Sequence, residues 1–232
     1  VLADTVRLLD EHGVRATFFC THAGIQVPGH ERALHPNFRR RGDLLQDLRR
    51  RLGDEYVHAA DNEVYRHVLD TTRAFCPEAK GVRAHSLYYD TQLLPLYRAS
   101  GLQYDSSYSM LLVDGIRPFF KEHDILEVPI YYMDHLDLME RRTGCDVRQM
   151  QLARCGLKVF DFHPNMVYTN APTCEFYERA KAFYRDPERL HAVRHPGRGV
   201  RSLLLELLAA IARQHLLTAT LGDVNTLWRE TP

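Results

Sequence analysis

No apolar run in this 232-residue chain approaches the roughly 20 residues that cross a bilayer, and no secretory leader is visible at its start. A basic excess is also missing. Lys plus Arg number 30 and Asp plus Glu number 30, so the electrostatic footprint of a nucleic-acid binder is absent. The arginine clusters Arg39–Arg41 and Arg49–Arg51 lie among acidic residues and read as a solvated helix face. Cysteines are few, and none is spaced as CxxC. Cys20, Cys76, Cys145, Cys155 and Cys174 make an odd count, which excludes a zinc ribbon or a disulfide framework. Scattered free thiols point to a reducing compartment and hence the cytoplasm. No HExxH ligand pair occurs, nor any internal repeat, linker or low-complexity stretch. What the chain has in unusual number is histidine, 13 residues, which favours metal or acid–base chemistry.

With 45% hydrophobic residues, the chain is long enough for one sizeable core, and a single catalytic domain over 1–232 is expected. Residues 1–12 read as an amphipathic helix stopped by Gly13. Short apolar segments, rich in β-branched and aromatic residues, read as strands at 14–20, 32–35, 81–85, 102–107, 125–133 and 157–163, with a last one at 218–224. Helices are expected at 43–75, 90–100, 146–155, 173–184 and 200–215. Such alternation argues for an α/β fold with parallel strands covered by helices, and a β/α barrel is favoured over an open sheet. Several strands end in polar residues, where such barrels gather their chemistry.

Three of those ends share one form, an apolar strand followed by His and a tight turn or Pro: Ala33-Leu34-His35-Pro36-Asn37, Val82-Arg83-Ala84-His85-Ser86 and Phe160-Asp161-Phe162-His163-Pro164. Imidazole is the commonest metal ligand and the commonest acid–base group. A shared site of His35, His85 and His163 is expected, with Asn37, Ser86 and Tyr88 as substrate contacts. Tyr88, Tyr89, Tyr131 and Tyr132 could stack on sugar rings or pack the rim. Asp105 could face the site or cap a turn. Asp161 shares a strand face with His163. His191, His195 and His215 read as surface residues, and Trp228 as packing against the last strand.

The order Gly13-Val-Arg-Ala-Thr-Phe-Phe, Ala-Leu-His35-Pro-Asn-Phe, Gly81-Val-Arg83-Ala-His85-Ser86, Leu-Gln-Tyr-Asp105-Ser-Ser and Asp161-Phe-His163-Pro resembles the polysaccharide deacetylase (NodB-homology) superfamily, and most nearly its WbmS-like branch, from Val1 to about Trp228. The resemblance implies an irregular (β/α) barrel that removes N- or O-acyl groups, acetyl above all, from a sugar of a surface polysaccharide or its precursor. It implies a divalent metal, zinc by expectation, that polarises the acyl carbonyl and activates water. It further implies His163 as the general acid, Asp134 as the residue that orients it, and Arg83 as the partner of the base carboxylate. The superfamily's first-strand Asp motif would precede Val1, so the chain is expected to be truncated at its N-terminus and weakly active by itself. The superfamily's second motif has two His; here only His35 is present, and His85 is the inferred replacement ligand.

Two other readings stand beside this one. A non-catalytic carbohydrate-binding or scaffold domain would keep the fold without the base. Another barrel metallohydrolase, such as an amidohydrolase or a phosphoesterase, would carry an HxH on the preceding strand. The residues upstream of Val1 discriminate the three.

Overall fold

A computed structural model describes residues 1–39, 46, 49, 50, 53, 60–140 and 142–231. The chain forms two compact units. One comprises residues 17–109, 118–129 and 220–232; the other comprises residues 1–16, 110–117 and 130–219.

The first unit is built on a six-stranded sheet in the order β1-β2-β3-β4-β6-β5. Its strands are β1 (Thr17–Cys20), β2 (Glu31–Leu34), β3 (Gly81–Val82), β4 (Tyr104–Asp105), β5 (Phe119–Lys121) and β6 (Ile125–Glu127). Neighbours are parallel from β1 through β6, and only β5 runs antiparallel. The α/β class is thus as expected, while β5 departs from a purely parallel order. It is the return arm of a hairpin, and a hairpin can only be antiparallel. Helices α2 (Asp61–Phe75) and α3 (Leu93–Ala99) bury Val64, Val68, Leu69, Leu93, Leu94 and Tyr97 in one core with Leu34 and Val82.

The amino-terminal edge of the sheet is a structural clamp. The carboxylate of Glu31 accepts hydrogen bonds from Thr17 Oγ1 at 2.6 Å and Tyr104 Oη at 2.9 Å. It also accepts the Gly222 amide at 2.8 Å. Tyr104 lies flat enough over β3 that a Cβ at Gly81 would fall 1.8 Å from the ring, so only glycine fits there. Because β2, β3, β4 and β6 are parallel, the opposite edge collects their carboxyl ends, which carry His35, His85, Asp105 and Glu127.

The second unit holds a parallel pair, β7 (Ile130–Met133) and β8 (Val159–Asp161), registered Met133↔Asp161. Around it lie α1 (Leu2–Glu11), α4 (Asp134–Glu140), α5 (Pro164–Thr169), α6 (Cys174–Ala180), α7 (Pro187–Ala192) and α8 (Val200–Arg213). On α8, Val200, Leu203, Leu204, Leu207 and Leu208 are buried, the stripe a core-facing helix needs.

Several boundaries differ from the sequence reading. The expected strand 125–133 is two strands in two sheets, broken at Val128-Pro129, where proline removes a ladder donor. The expected last strand is helix α9 (Leu221–Glu230). There Thr220 and Asp223 form a capping box: Thr220 Oγ1 accepts the Asp223 amide, and the Asp223 carboxylate accepts the Thr220 amide. That pairing outweighs the β-propensity of Thr218 and Thr220, and it places Trp228 in the helix. The helix expected at 146–155 is reduced to a 3₁₀ turn, Val147–Met150. Most of the helix expected before Asp61, together with Arg40, Arg41 and Arg51 of the arginine clusters, lies outside the described residues. Among the described residues, no helix is long and apolar enough to cross a membrane.

Candidate active site

In the second unit, β7 ends directly in Asp134 and β8 runs into His163, which is the N-cap of α5 ahead of Pro164 at the first helical position. The adjacency of the two strands sets these residues side by side. Asp134 is fully buried (0% exposed). Its Oδ2 accepts the His163 backbone amide at 2.7 Å. Its Oδ1 accepts the His135 amide at 2.7 Å and meets His163 Nδ1 at 2.6 Å. The carboxylate therefore grips both the backbone and the ring of one residue, whose side chain is half-exposed. Of the two acids considered as partners for His163, Asp134 occupies the Nδ1 side. Asp161 ends β8 opposite Met133.

His135 was not singled out from the sequence. Its ring centroid lies 6.1 Å from that of His163. Burial, then the neighbouring His163, pushes its pKa below the ordinary histidine value, so it is an uncharged neighbour near neutral pH. The neighbouring Asp137 is a structural acid. It accepts Tyr132 Oη at 3.0 Å and the Thr143 amide at 2.7 Å.

In the first unit, the carboxyl ends of β2 and β3 bring His35 and His85 together, with ring centroids 5.5 Å apart and planes at 87°. The His85 amide donates to Pro36 O at 2.8 Å, which locks the two loops together. Just after His85, Ser86 and Leu87 have φ of 56° and 51°. The left-handed region is costly for such residues and is common at functional loops. His35 and His85 line one cavity of about 290 Å³ together with Thr21, Asn37, His67 and Thr71. His67 and Thr71 stand one turn apart on α2. Sequence reading missed His67, because its helix carries no strand-His-turn signature.

Arg83 is buried (5% exposed). Its Nε donates to Ser106 O at 2.9 Å and its Nη2 to Ser106 Oγ at 2.8 Å, with the guanidinium 4.4 Å over the Phe19 ring. Of the substrate contacts expected from sequence, Asn37 lines the cavity and Ser86 is exposed beside it in chain order. Tyr88 is held inward, its hydroxyl 2.6 Å from that of Tyr65 and its ring against Phe38. Tyr131 and Tyr132 are buried as well. Of these four tyrosines only Tyr89 is largely exposed.

The His35–His85 spacing fits two ligands of one cation. Two imidazoles bound to a tetrahedral zinc at 2.0–2.1 Å place their centroids about 5 Å apart. Among the described residues, no group of three His, Cys, Asp or Glu side chains is placed to hold a metal ion. Two nitrogens fall short of the four ligands zinc takes.

Farther along the same edge, Asp105 and Glu127 are register partners on β4 and β6. Between them lies Lys121 Nζ, 2.7 Å from Asp105 Oδ2 and 2.6 Å from Glu127 Oε2. Asp105 thus belongs to a buried ion triad. Burial, and next the Asp105 charge, raises Glu127 to about 7 against the pull of Lys121. Burial lowers the Lys121 pKa, but the two carboxylates outweigh it and leave it raised.

Residues 1–181 match the profile of the WbmS-like family, described as polysaccharide deacetylase. Among solved structures, the chain is similar to WbmS of Bordetella bronchiseptica, assigned as a polysaccharide deacetylase involved in O-antigen biosynthesis. The two share 28% identity at a TM-score of 0.75, over 90% of this chain and 84% of that one. It shares the fold of a protein assigned as a polysaccharide deacetylase from Mycobacterium smegmatis, at 17% identity and a TM-score of 0.50, over 98% of this chain and 76% of that one. No curated protein matches. The profile covers well over half of the chain, and the chain belongs to the WbmS-like polysaccharide deacetylase family.

Proposed function

We propose that this protein hydrolyses N- or O-linked acyl groups, acetyl above all, from a sugar of a surface polysaccharide or its cytoplasmic precursor. The observation that carries the reading is the Asp134–His163 pair. An imidazole fixed at Nδ1 by a fully buried carboxylate, and through its own amide by the same group, has one tautomer and one orientation. That is what a proton donor to a leaving amine or alkoxide needs. His35 and His85 would hold a divalent cation, zinc being the ion we propose. When bound, such an ion supplies Lewis-acid polarisation of the acyl carbonyl and of the attacking water. Asn37, lining the same cavity, would orient the substrate, while Arg83 braces the loop through Ser106. The kinship to a protein assigned to O-antigen biosynthesis supports a surface polysaccharide as the source of the sugar.

The test is acetate release from N-acetylated and O-acetylated sugars by the purified protein with and without added zinc, alongside metal analysis of three variants. His163→Ala should slow turnover by roughly 10²–10⁴-fold and keep its metal. His35→Ala should lose both. His85→Ala should behave like His35→Ala if it is a ligand, or raise KM and keep the metal if it only touches substrate. Loss of metal from His163→Ala, or its retention by His35→Ala, would overturn the assignment.

A further inference from the structure

The buried triad Asp105–Lys121–Glu127 supports aromatic residues that the hydrolytic chemistry leaves unused. Phe119 is the register partner of Glu127 on the edge strand β5 and shares a face with Lys121 two residues on. The ring of Tyr89 lies 5.3 Å from Lys121 Nζ. Tyr108 donates its amide to Glu127 Oε1 at 3.2 Å. The ion cluster is thus met by the ring of Tyr89, by the backbone amide of Tyr108 and, in strand register, by Phe119, and all three residues are open to solvent: Tyr89 is 53% exposed, Tyr108 54% and Phe119 45%. Phe120, one residue on, points to the other face, where the Arg229 guanidinium lies 5.0 Å from its ring, and it too is open to solvent at 47%. Beneath the exposed rings the charges are spent on one another. Lys121 is only 9% exposed and the two acids 2% or less, so the surface offers flat rings and phenolic hydroxyls but no free charge from the triad.

Position decides what this surface suits. Tyr89 follows His85 by four residues in the same loop. In the sheet, β3, which carries His85, is followed by β4 and then β6, which carries Glu127. Two strand steps are about 10 Å, more than one sugar ring spans. We propose that Tyr89, Tyr108 and Phe119 form a stacking platform for the neutral sugar rings of an extended saccharide, flanking the residue held at His35 and His85. The inference rests on the reading of the protein as a polysaccharide deacetylase. Rings of this kind present an apolar face to the axial C–H groups of a pyranose, while the tyrosine hydroxyls stay available to its oxygens. The ion triad holds β4, β5 and β6 together beneath them, so the backbone that carries Tyr108 and Phe119 is fixed before the ligand arrives.

The test uses a chitooligosaccharide ladder, from N-acetylglucosamine to the hexamer, and acetylated oligosaccharides released from O-antigen. Affinity is read by NMR titration of the intact protein, and hydrolysis separately by acetate release. Wild-type affinity should rise with chain length for at least one of the two series. Tyr89→Ala/Tyr108→Ala should weaken the longer members on the order of tenfold while leaving the monosaccharide unchanged. Tyr89→Phe should keep the affinity, and this control separates loss of a ring from loss of the fold. A wild-type protein that binds the ladder with this pattern but releases no acetate would sustain the platform and sink the deacetylase reading. The platform is overturned if the wild type shows no length-dependent binding, or if the alanine variant matches it at every length. It is equally overturned if the alanine substitutions only dissolve a dimer.

Discussion

Asp134→Asn asks how much of His163 is made by its partner. The change keeps the shape of the side chain but replaces one acceptor oxygen with a donor amide. Oδ2 serves the His163 amide; Oδ1 serves the His135 amide and His163 Nδ1. With the new amide at the Oδ2 place, it faces the His163 N–H, donor against donor. At the Oδ1 place it faces the His135 N–H in the same way, and it bonds to Nδ1 only if His163 moves its proton to Nε2. Either arrangement leaves a buried donor unsatisfied, which costs about 1–3 kcal/mol, and the second also imposes the wrong tautomer. Turnover should fall by roughly 10²–10⁴-fold, while metal content stays unchanged. Urea denaturation reads the stability loss and acetate release reads the turnover. In a double-mutant cycle, Asp134→Asn should add almost nothing on a His163→Ala background, because residues that act as a unit are not additive. Full additivity, or an Asp134→Asn variant within twofold of wild type, would refute the coupling.

Zinc titrated into this chain should bind weakly, since two imidazoles supply half of a tetrahedral set, so metal content of wild type and variants is compared at one fixed excess of zinc; calorimetry showing tight one-to-one binding would contradict it. Gly81→Ala should lose about 3 kcal/mol or more, because its Cβ would lie 1.8 Å from the Tyr104 ring. An unchanged melting temperature would show that the ring does not need that space. Glu127 titrates near 7 in the folded protein, above its ordinary 4.5. The folded state therefore holds an extra proton between those values, and this group's contribution to stability is present below about 4.5 and lost as pH rises to 7. Glu127→Gln should flatten that part of the stability–pH curve, measured by denaturant midpoints from pH 4.5 to 7.5. A variant curve parallel to the wild type would exclude Glu127 as its source.

Local chemistry was readable along the chain wherever a short segment decides its own conformation. The first helix and its stop at Gly13 were, because an apolar stripe and a residue at φ 65° are properties of neighbours in sequence. So were the strands that end in His35, His85 and His163. The capping box at Thr220 and Asp223 was equally local but was masked by the β-forming Thr218-Ala-Thr-Leu run. Distant partnership was not readable. Asp134 could be paired with His163 only through the family resemblance, with Asp161 a second candidate on the strand face of His163; the side-by-side placement of β7 and β8 puts Asp134 at Nδ1. His67 joins His35 and His85 around one cavity because α2 packs across the sheet, a contact between residues far apart in the chain that no spacing announces. The fate of Asp105 was decided by Lys121, carried by a hairpin arm that the strand pattern did not reveal. Periodicity and turn residues report energies that are local. Which side chains converge depends on how strands order themselves in a sheet, and that order is set by packing across the whole core.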